Sequence, residues 1–352
     1  MAQNIKDLSF SELEDYFLTR YKQRFRAKQV FKWLSEGVVS FSAMSDISKK
    51  MAALLEQEFT ISNLNILKRE VSKDGTIKFL YELTDKSTIE TVLMEYKHGF
   101  SICISTQVGC NMGCAFCAST VGGKVRDLTV GEMLDQVILT AKNENIRISN
   151  SVLMGIGEPL DNYENVINFL KSVNNENGLN IGYRHISLST CGVVPMIDKL
   201  REENIPLTLS VSLHAPNDKI RNKMMPVSRK YNYTQLLNSV KNYVKKTKRR
   251  VSFEYTLISG QNDTADDANE LSQKLKGILC HVNLIPVNPS RERMMPSQIK
   301  VINRFQQILI KNGLNATVRR TLGTDINAAC GQLRQAKKEG ESFDQRDYRQ
   351  GS

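Results

Sequence analysis

At 352 residues, 41% hydrophobic and 24% charged, the chain can build one large core plus a small accessory domain, and general disorder is not expected. No apolar run reaches the roughly 18 residues of a membrane span, and the start MAQNIKDLSFSELEDY lacks the charged-then-apolar build of a signal peptide, so a cytoplasmic address without membrane attachment follows. Seven cysteines argue against a disulfide framework, and a net charge of +11 favours an anionic macromolecule, nucleic acid first, although surplus charge also serves solubility.

The first 62 residues read as a helical accessory domain. Phe10, Leu13, Phe17 and Tyr21 recur at helical steps, as do Val30, Phe31 and Leu34, then Met51, Leu54 and Leu55. Ser9 and Ser11, close to Glu12 and Glu14, supply a cap. The stretch from Arg20 to Lys28 sets five cations beside Tyr21 and Phe25, either a helix that grips RNA phosphates or a solvated basic face. Residues 63–98 turn strand-like, with a Lys73-Asp74-Gly75 turn, alternating Ile77, Phe79 and Tyr81, and the run Val92, Leu93, Met94; a small antiparallel linker sheet is expected.

From residue 99 to 334 strands and helices alternate. Strands are predicted at 101–106, 150–154, 185–189, 207–213, 250–257 and 282–287, with a short seventh at 316–320. Helices are predicted at 130–142, 163–173, 195–202, 233–245, 268–275 and 297–312. Buried strands separated by helices indicate an α/β fold with a parallel sheet, and too few units are present to close an eight-stranded barrel. An incomplete β/α barrel of about six strands, open at the side for a large substrate, is the expectation; an open doubly wound sheet is the alternative. The tail at 335–352 is polar and expected to be flexible.

Cys110, Cys114 and Cys117 follow the first barrel strand. Three thiolates on one loop leave one iron of a four-iron cube open to another ligand, whereas a structural zinc site would want a fourth Cys or His. Their spacing resembles that of the radical S-adenosylmethionine (SAM) superfamily, in which SAM chelates the open iron. In a parallel barrel the site gathers at the carboxyl ends of the strands. Gly157-Glu158-Pro159 ends the second, Ser189-Thr190 the third, Ser212-Leu213-His214 the fourth and Asn288 the sixth. Glu158 would take the SAM ammonium beside Gly157, as in the Gly-Gly-Glu-like motif it resembles; Ser189, Ser212, Leu213, His214 and Asn288 would hold its carboxylate and ribose, or merely cap strands. His98, His185 and His281 show no partner pattern.

Cys330, in Ala-Ala-Cys330-Gly-Gln-Leu, stands in a polar context after the last strand. Together with Gln107-Val-Gly-Cys110, Met154-Gly-Ile-Gly-Glu-Pro, Ser212-Leu-His-Ala-Pro-Asn217 and Asn283-Leu-Ile-Pro-Val-Asn288, it makes nearly the whole chain resemble the radical SAM adenine methyltransferases of RNA. It is most similar to the bacterial dual-specificity enzymes that methylate carbon 2 of adenosine in 23S rRNA and tRNA. Their relative, the resistance methyltransferase, acts on carbon 8.

The resemblance implies a [4Fe-4S] cluster and two SAM per turnover. It implies that Cys330 carries the methyl group, that a methylene then joins protein to RNA, that Cys103 is the resolving thiol and that Glu90 accepts a proton, its alternative being an exposed strand carboxylate. Cys191 and Cys280, near apolar strands, read as core. The implied partners are 23S rRNA, tRNA and an electron donor such as flavodoxin or ferredoxin, acting on a monomer. Arg126, Lys245 to Arg250 with Tyr243, Arg291, Arg293, Arg319, Arg320 and Arg334 form the basic set expected to hold RNA at the mouth. The rivals are methylation at carbon 8, a radical enzyme acting on a peptide or installing sulfur, and a non-catalytic RNA-binding protein with a zinc loop.

Overall fold

Three amphipathic helices open the chain because each has its own stop and start signals. In the computed structural model, which describes residues 2–288 and 294–333, α1 (Phe10–Tyr21) begins on a capping box between Ser9 and Glu12 and ends where Lys22 turns left-handed at φ 58°. α2 (Arg26–Ser35) and α3 (Lys49–Glu58) follow, and Leu13, Phe17, Val30, Phe31 and Leu55 close a core separate from that of the rest of the chain.

The Arg20–Lys28 stretch is therefore not one basic helix but the turn between two. Arg20 pairs with Glu58 and Arg24 with Glu14, each at 2.8 Å, so two of the five cations already have carboxylates. Arg26 lies over the exposed Phe25 ring.

One ten-stranded sheet carries everything else. Its strands are β1 (Asn65–Val71), β2 (Ile77–Glu82), β3 (Thr88–Tyr96), β4 (Gly99–Cys103), β5 (Ile148–Leu153), β6 (Ile186–Thr190), β7 (Thr208–Ser212), β8 (Val251–Leu257), β9 (Cys280–Pro286) and β10 (Ala316–Val318), hydrogen-bonded in sequence order. From β4 to β10 every pairing is parallel; from β1 to β4 every pairing is antiparallel. A partial α/β barrel of seven parallel strands results, and no pairing among the described residues closes it. The segment read as a linker is a linker only in sequence. In space β3 pairs with β4, Val92 opposite Cys103, and extends the same sheet.

The crossover helices α4 (Val130–Glu144), α5 (Tyr163–Asn174), α6 (Val194–Glu202), α8 (Tyr233–Thr247), α9 (Ala265–Leu275) and α10 (Ile299–Lys311) lie between parallel strands; sequence periodicity missed the short α7 (Asp218–Met224). Because α8 leads into the start of β8, the run from Lys245 to Arg250 lies at the amino ends of the strands, away from the mouth. Tyr243 is buried and Lys246 pairs with Glu202, so this run leaves the set expected at the mouth.

The helical domain is fastened to the barrel by a buried ion pair. Lys6 reaches Asp135 of α4, which also accepts from Ser62, while Asp7 accepts from the Gly131 amide. Asp135→Ala should cost about 3–5 kcal/mol, because it strands the Lys6 ammonium in the interior. Urea unfolding measures this, and a loss below about 1 kcal/mol would show that Lys6 escapes to water.

Candidate active site

The loop after β4 folds back on itself: Gln107–Gly109 pairs with Lys124–Asp127, and the three cysteines hang between these arms. Cys110, Cys114 and Cys117 all line one cavity of about 150 Å³. Ser189, Ser212, His214, Gly157, Glu158 and Asn288 line it too, so the strand-end residues converge as expected. Leu213 does not. Its side chain is fully buried in the core, and only its backbone serves the site, donating to the Glu254 carbonyl at 3.0 Å.

Glu158 is buried, and its carboxylate is aimed by backbone amides: Cys191 donates at 2.7 Å and Leu160 at 3.0 Å. Among the described residues no Lys or Arg pairs with it, and burial pushes its pKa up. A buried carboxylate without a cation is what an incoming ammonium requires. Gly157 has φ 109°, and a Cβ there would meet Gln107 at 2.7 Å, so glycine is needed for the close approach. Gln107, part of the quoted Gln107-Val-Gly-Cys110 motif but given no role from sequence, accepts from the Glu158 amide at 2.9 Å and donates to Asp127 and Asp161.

His214 has φ 55°, and its Nδ1 accepts from the Thr256 amide at 2.9 Å. An amide can only donate, so the ring proton sits on Nε2. Burial, helped by the Arg221 charge, lowers the His214 pKa to about 3. The unfolded chain then binds a proton that the folded chain refuses between pH 6.5 and about 3. As pH falls through that window this group alone should cut the folding equilibrium by about tenfold per unit. Urea midpoints measured from pH 6.5 to 4 should fall less steeply for His214→Gln than for the wild type; equal slopes would mean the ring is protonated in the fold.

Cys191 and Cys280 both lie in apolar core as expected from sequence, and Cys191 also lines the cavity. Glu254, Thr256 and Met225 also line the cavity unforeseen, and Arg319 of the expected basic set joins them. The signal for Glu254 was present: a carboxylate inside the otherwise strand-like Val251–Leu257, satisfied by Ser252 and Asn283.

Cys330 stands between two cavities. It lines the one above and a second of about 40 Å³, which also holds Cys103, Val92, Met94, Tyr96, Arg319 and Arg320. The second has room for a few waters, so a nucleobase enters it only if part of its lining moves. That segment is held from three sides: Asp325 accepts from Ser72, Asn288 donates to the Cys330 carbonyl at 3.1 Å, and Ala118 donates to the Gly331 carbonyl at 2.8 Å. Gly331 has φ 81°, and a Cβ there would lie 3.1 Å from the Phe116 carbonyl, against the cysteine loop.

Burial pushes the Cys103 thiol up to about 12, with the Cys330 charge adding and Arg319 opposing. Glu90 is buried rather than exposed, and Lys78 holds it at 3.1 Å. It shares a sheet face with Val92 and Met94 of the second cavity. Arg126 already has two carboxylate partners, Asp85 and Glu132, each at 2.7 Å. Arg319 and Arg320 follow β10 at the mouth; Arg291, Arg293, Arg334 and the tail lie outside the described residues. His98 stacks on Tyr96, while His185 and His281 bond to Asn150 and Thr317.

Residues 104–271 match the Radical SAM superfamily, and residues 3–61 match the ribosomal RNA large subunit methyltransferase N-terminal domain. A probable dual-specificity RNA methyltransferase RlmN of Alkaliphilus metalliredigens is 52% identical over 94% of this chain and 95% of its own length. The chain belongs to the RlmN family of RNA methyltransferases. The same description and the same 52% identity hold for a relative from Clostridium tetani, with 94% of this chain and 95% of that one covered. The crystal structure of a radical SAM methyltransferase from Sphaerobacter thermophilus superposes with a TM-score of 0.89 at 42% identity, covering 94% of this chain and 99% of that one. As an RlmN family member the chain is a SAM-dependent enzyme, and its cofactors are a [4Fe-4S] cluster and SAM.

The residues present fit both cofactors. Three cysteines share one wall, and among the described residues no three Cys, His, Asp or Glu side chains meet as ligands of a single ion, which three corners of a cube do not require. Burial raises the Cys110 thiol to about 12 and Cys114 well above its ordinary value; bound iron reverses that balance by stabilising the thiolates. The cation-free Glu158 matches the SAM ammonium. Glu158→Gln should weaken SAM binding about 10- to 100-fold without changing iron content. Calorimetry on the reconstituted protein checks this, and unchanged affinity would remove Glu158 from the SAM site.

Proposed function

We propose that this enzyme methylates carbon 2 of an adenosine in the peptidyl transferase region of 23S rRNA and of the adenosine 3′ of the tRNA anticodon, with Cys330 as the methyl carrier. One observation carries the reading: among the described residues Cys330 is the cysteine that lines both the cavity of the cofactor residues and the cavity of Cys103. When bound, the cluster and SAM supply a methyl group and a radical able to remove hydrogen from a methyl carbon.

Position 2 of adenine is electron-poor, so a methyl cation equivalent finds no nucleophile there. A carbon held on sulfur solves this, and Cys330 is the sulfur placed to hold it. Its backbone carbonyl, fixed by Asn288, keeps the carrier at the rim of both cavities. Once the carbon carried by Cys330 has joined the ring as a radical, the adduct must give up one electron, which the cluster when bound would take back. It must also lose the proton of the target carbon, which Glu90 on the second cavity's sheet face takes. Cys103 then attacks the Cys330 sulfur: a disulfide forms, the sulfur–carbon bond breaks, and the departing carbon keeps the electron pair and is protonated to a methyl group. A cellular dithiol must reduce the disulfide before the next turnover.

The target base must leave its stack to reach this depth, which restricts substrates to RNA that can present a flipped adenosine. Arg319 and Arg320 at the mouth are the cations placed to meet it. The enzyme works in the cytoplasm as a monomer with a flavodoxin- or ferredoxin-like donor. Anaerobic reconstitution with iron and sulfide, reduction with SAM, and mass spectrometry of nucleosides from treated 23S rRNA fragments and tRNA test the proposal. 2-Methyladenosine in both is expected; 8-methyladenosine, or no methylated adenosine, overturns it.

A further inference from the structure

Behind the wall of the larger cavity a guanidinium is buried with no carboxylate against it. Arg221 of α7 has 0% exposure. Its Nη2 donates to the carbonyls of Cys191 at 2.6 Å and Ser212 at 3.1 Å, and its Nε to that of Leu213 at 3.2 Å. Nη1 has no partner among the described residues. All three acceptors belong to the strand ends that build the site.

Carbonyls offer dipoles but no charge, and Arg cannot shed its proton as Lys can. A guanidinium stripped of water and left without an anion is strongly unfavourable. The acidic groups of the neighbourhood are engaged elsewhere: Asp218 accepts from the Tyr233 amide at 2.7 Å, and Glu158 is turned to the Cys191 and Leu160 amides. Asp218 thus offsets the guanidinium only through space, and a further negative charge close to Arg221 would complete this arrangement.

The cysteine loop lies directly over α7. The Ala115 amide donates to the Met224 carbonyl at 2.8 Å, and Cys114 packs with Cys191, Met224, Met225 and Ile220 in an apolar, sulfur-rich layer. A cluster held by three thiolates is anionic and gains one more negative charge on reduction. Through a layer with little water, a fixed cation favours the reduced state far more than it would across solvent.

Resting on the cluster assignment, we propose that Arg221 is the built-in counter-charge of the iron–sulfur cluster, a positioning residue that touches neither SAM nor RNA and raises the cluster's reduction potential. Its carbonyl bonds hold the charge in place, and the unpartnered Nη1 leaves that charge without a carboxylate in direct contact. The cluster thus accepts its electron from a weaker donor than the bare three-thiolate site would need.

The test is an anaerobic redox titration of the reconstituted enzyme without RNA, followed by electron paramagnetic resonance, on wild type, Arg221→Gln, Arg221→Met and Arg221→Lys. Circular dichroism and iron content report fold and loading. The two neutral variants should reduce with an equilibrium constant at least about tenfold less favourable, a shift of about 59 mV to lower potential for one electron, while Arg221→Lys keeps most of the wild-type value. Neutral variants that fold, load iron and titrate within about twofold of wild type would overturn the proposal. So would neutral variants that fail to fold while Arg221→Lys folds, since Arg221 would then serve the strand-end carbonyls alone. A wild-type protein that takes up no iron would instead sink the cluster assignment beneath it.

Discussion

Cys330→Ser should lower RNA methylation by on the order of 10⁴-fold or more while leaving iron content and SAM affinity near wild type. A serine hydroxyl is a far weaker nucleophile than a thiolate toward a sulfonium methyl, so the carrier is never loaded. The change is small in every other respect. Cys330 is half-buried, its loop is held through the backbone by Asn288 and Ala118, and the Gly331 turn beside it is untouched. Labelled SAM separates the steps: wild-type protein takes label before RNA is added, and the variant takes none. Turnover near the wild-type rate would remove the carrier and favour a radical enzyme of another class.

The parts of this site that were legible in the sequence are those whose signal is local. Cys110, Cys114 and Cys117 share one loop, and Glu158, Ser189, Ser212 and Asn288 each end a strand; a parallel sheet brings such ends together whatever lies between them. What escaped depends on distant chain segments meeting. Cys191 reads as a core residue, and only the fold shows that its amide also aims Glu158, while Arg221 stands on a helix too short for periodicity to reveal.

One alternative and one expectation failed for physical reasons. The alternative to Glu90 as proton acceptor was an exposed strand carboxylate, but β3 is covered on both faces from Thr88 to Met94, so its charge needed Lys78. The Lys245–Arg250 run carries charge without direction: a helix-to-strand connection lies at the amino end of a barrel, where no shared pocket forms.

Cys103→Ala should convert the enzyme into one that stays joined to its RNA. Cys103 faces Val92 across the β3–β4 pair and is buried in the cavity it shares with Cys330. Among the described residues no third cysteine lines that cavity, and burial excludes a thiol from solvent, so nothing replaces the missing attack on the Cys330 sulfur. The first turnover then stops at the methylene bridge. A denaturing gel should show a slow species, up to about one RNA per protein, that resists reductants because a thioether rather than a disulfide holds it. Adding Cys330→Ala to the same chain should abolish the species, since no carrier remains to be trapped. Ordinary release of methylated RNA by the single variant would show that Cys103 resolves nothing. The Cys103 thiol, raised to about 12 by burial, gives the same assay a second reading. Resolution requires that thiol to lose its proton, and Arg319 is the cation placed to help. Arg319→Gln should therefore slow decay of the wild-type bridge and lengthen its lifetime on the gel, while leaving the loading of Cys330 by labelled SAM largely intact.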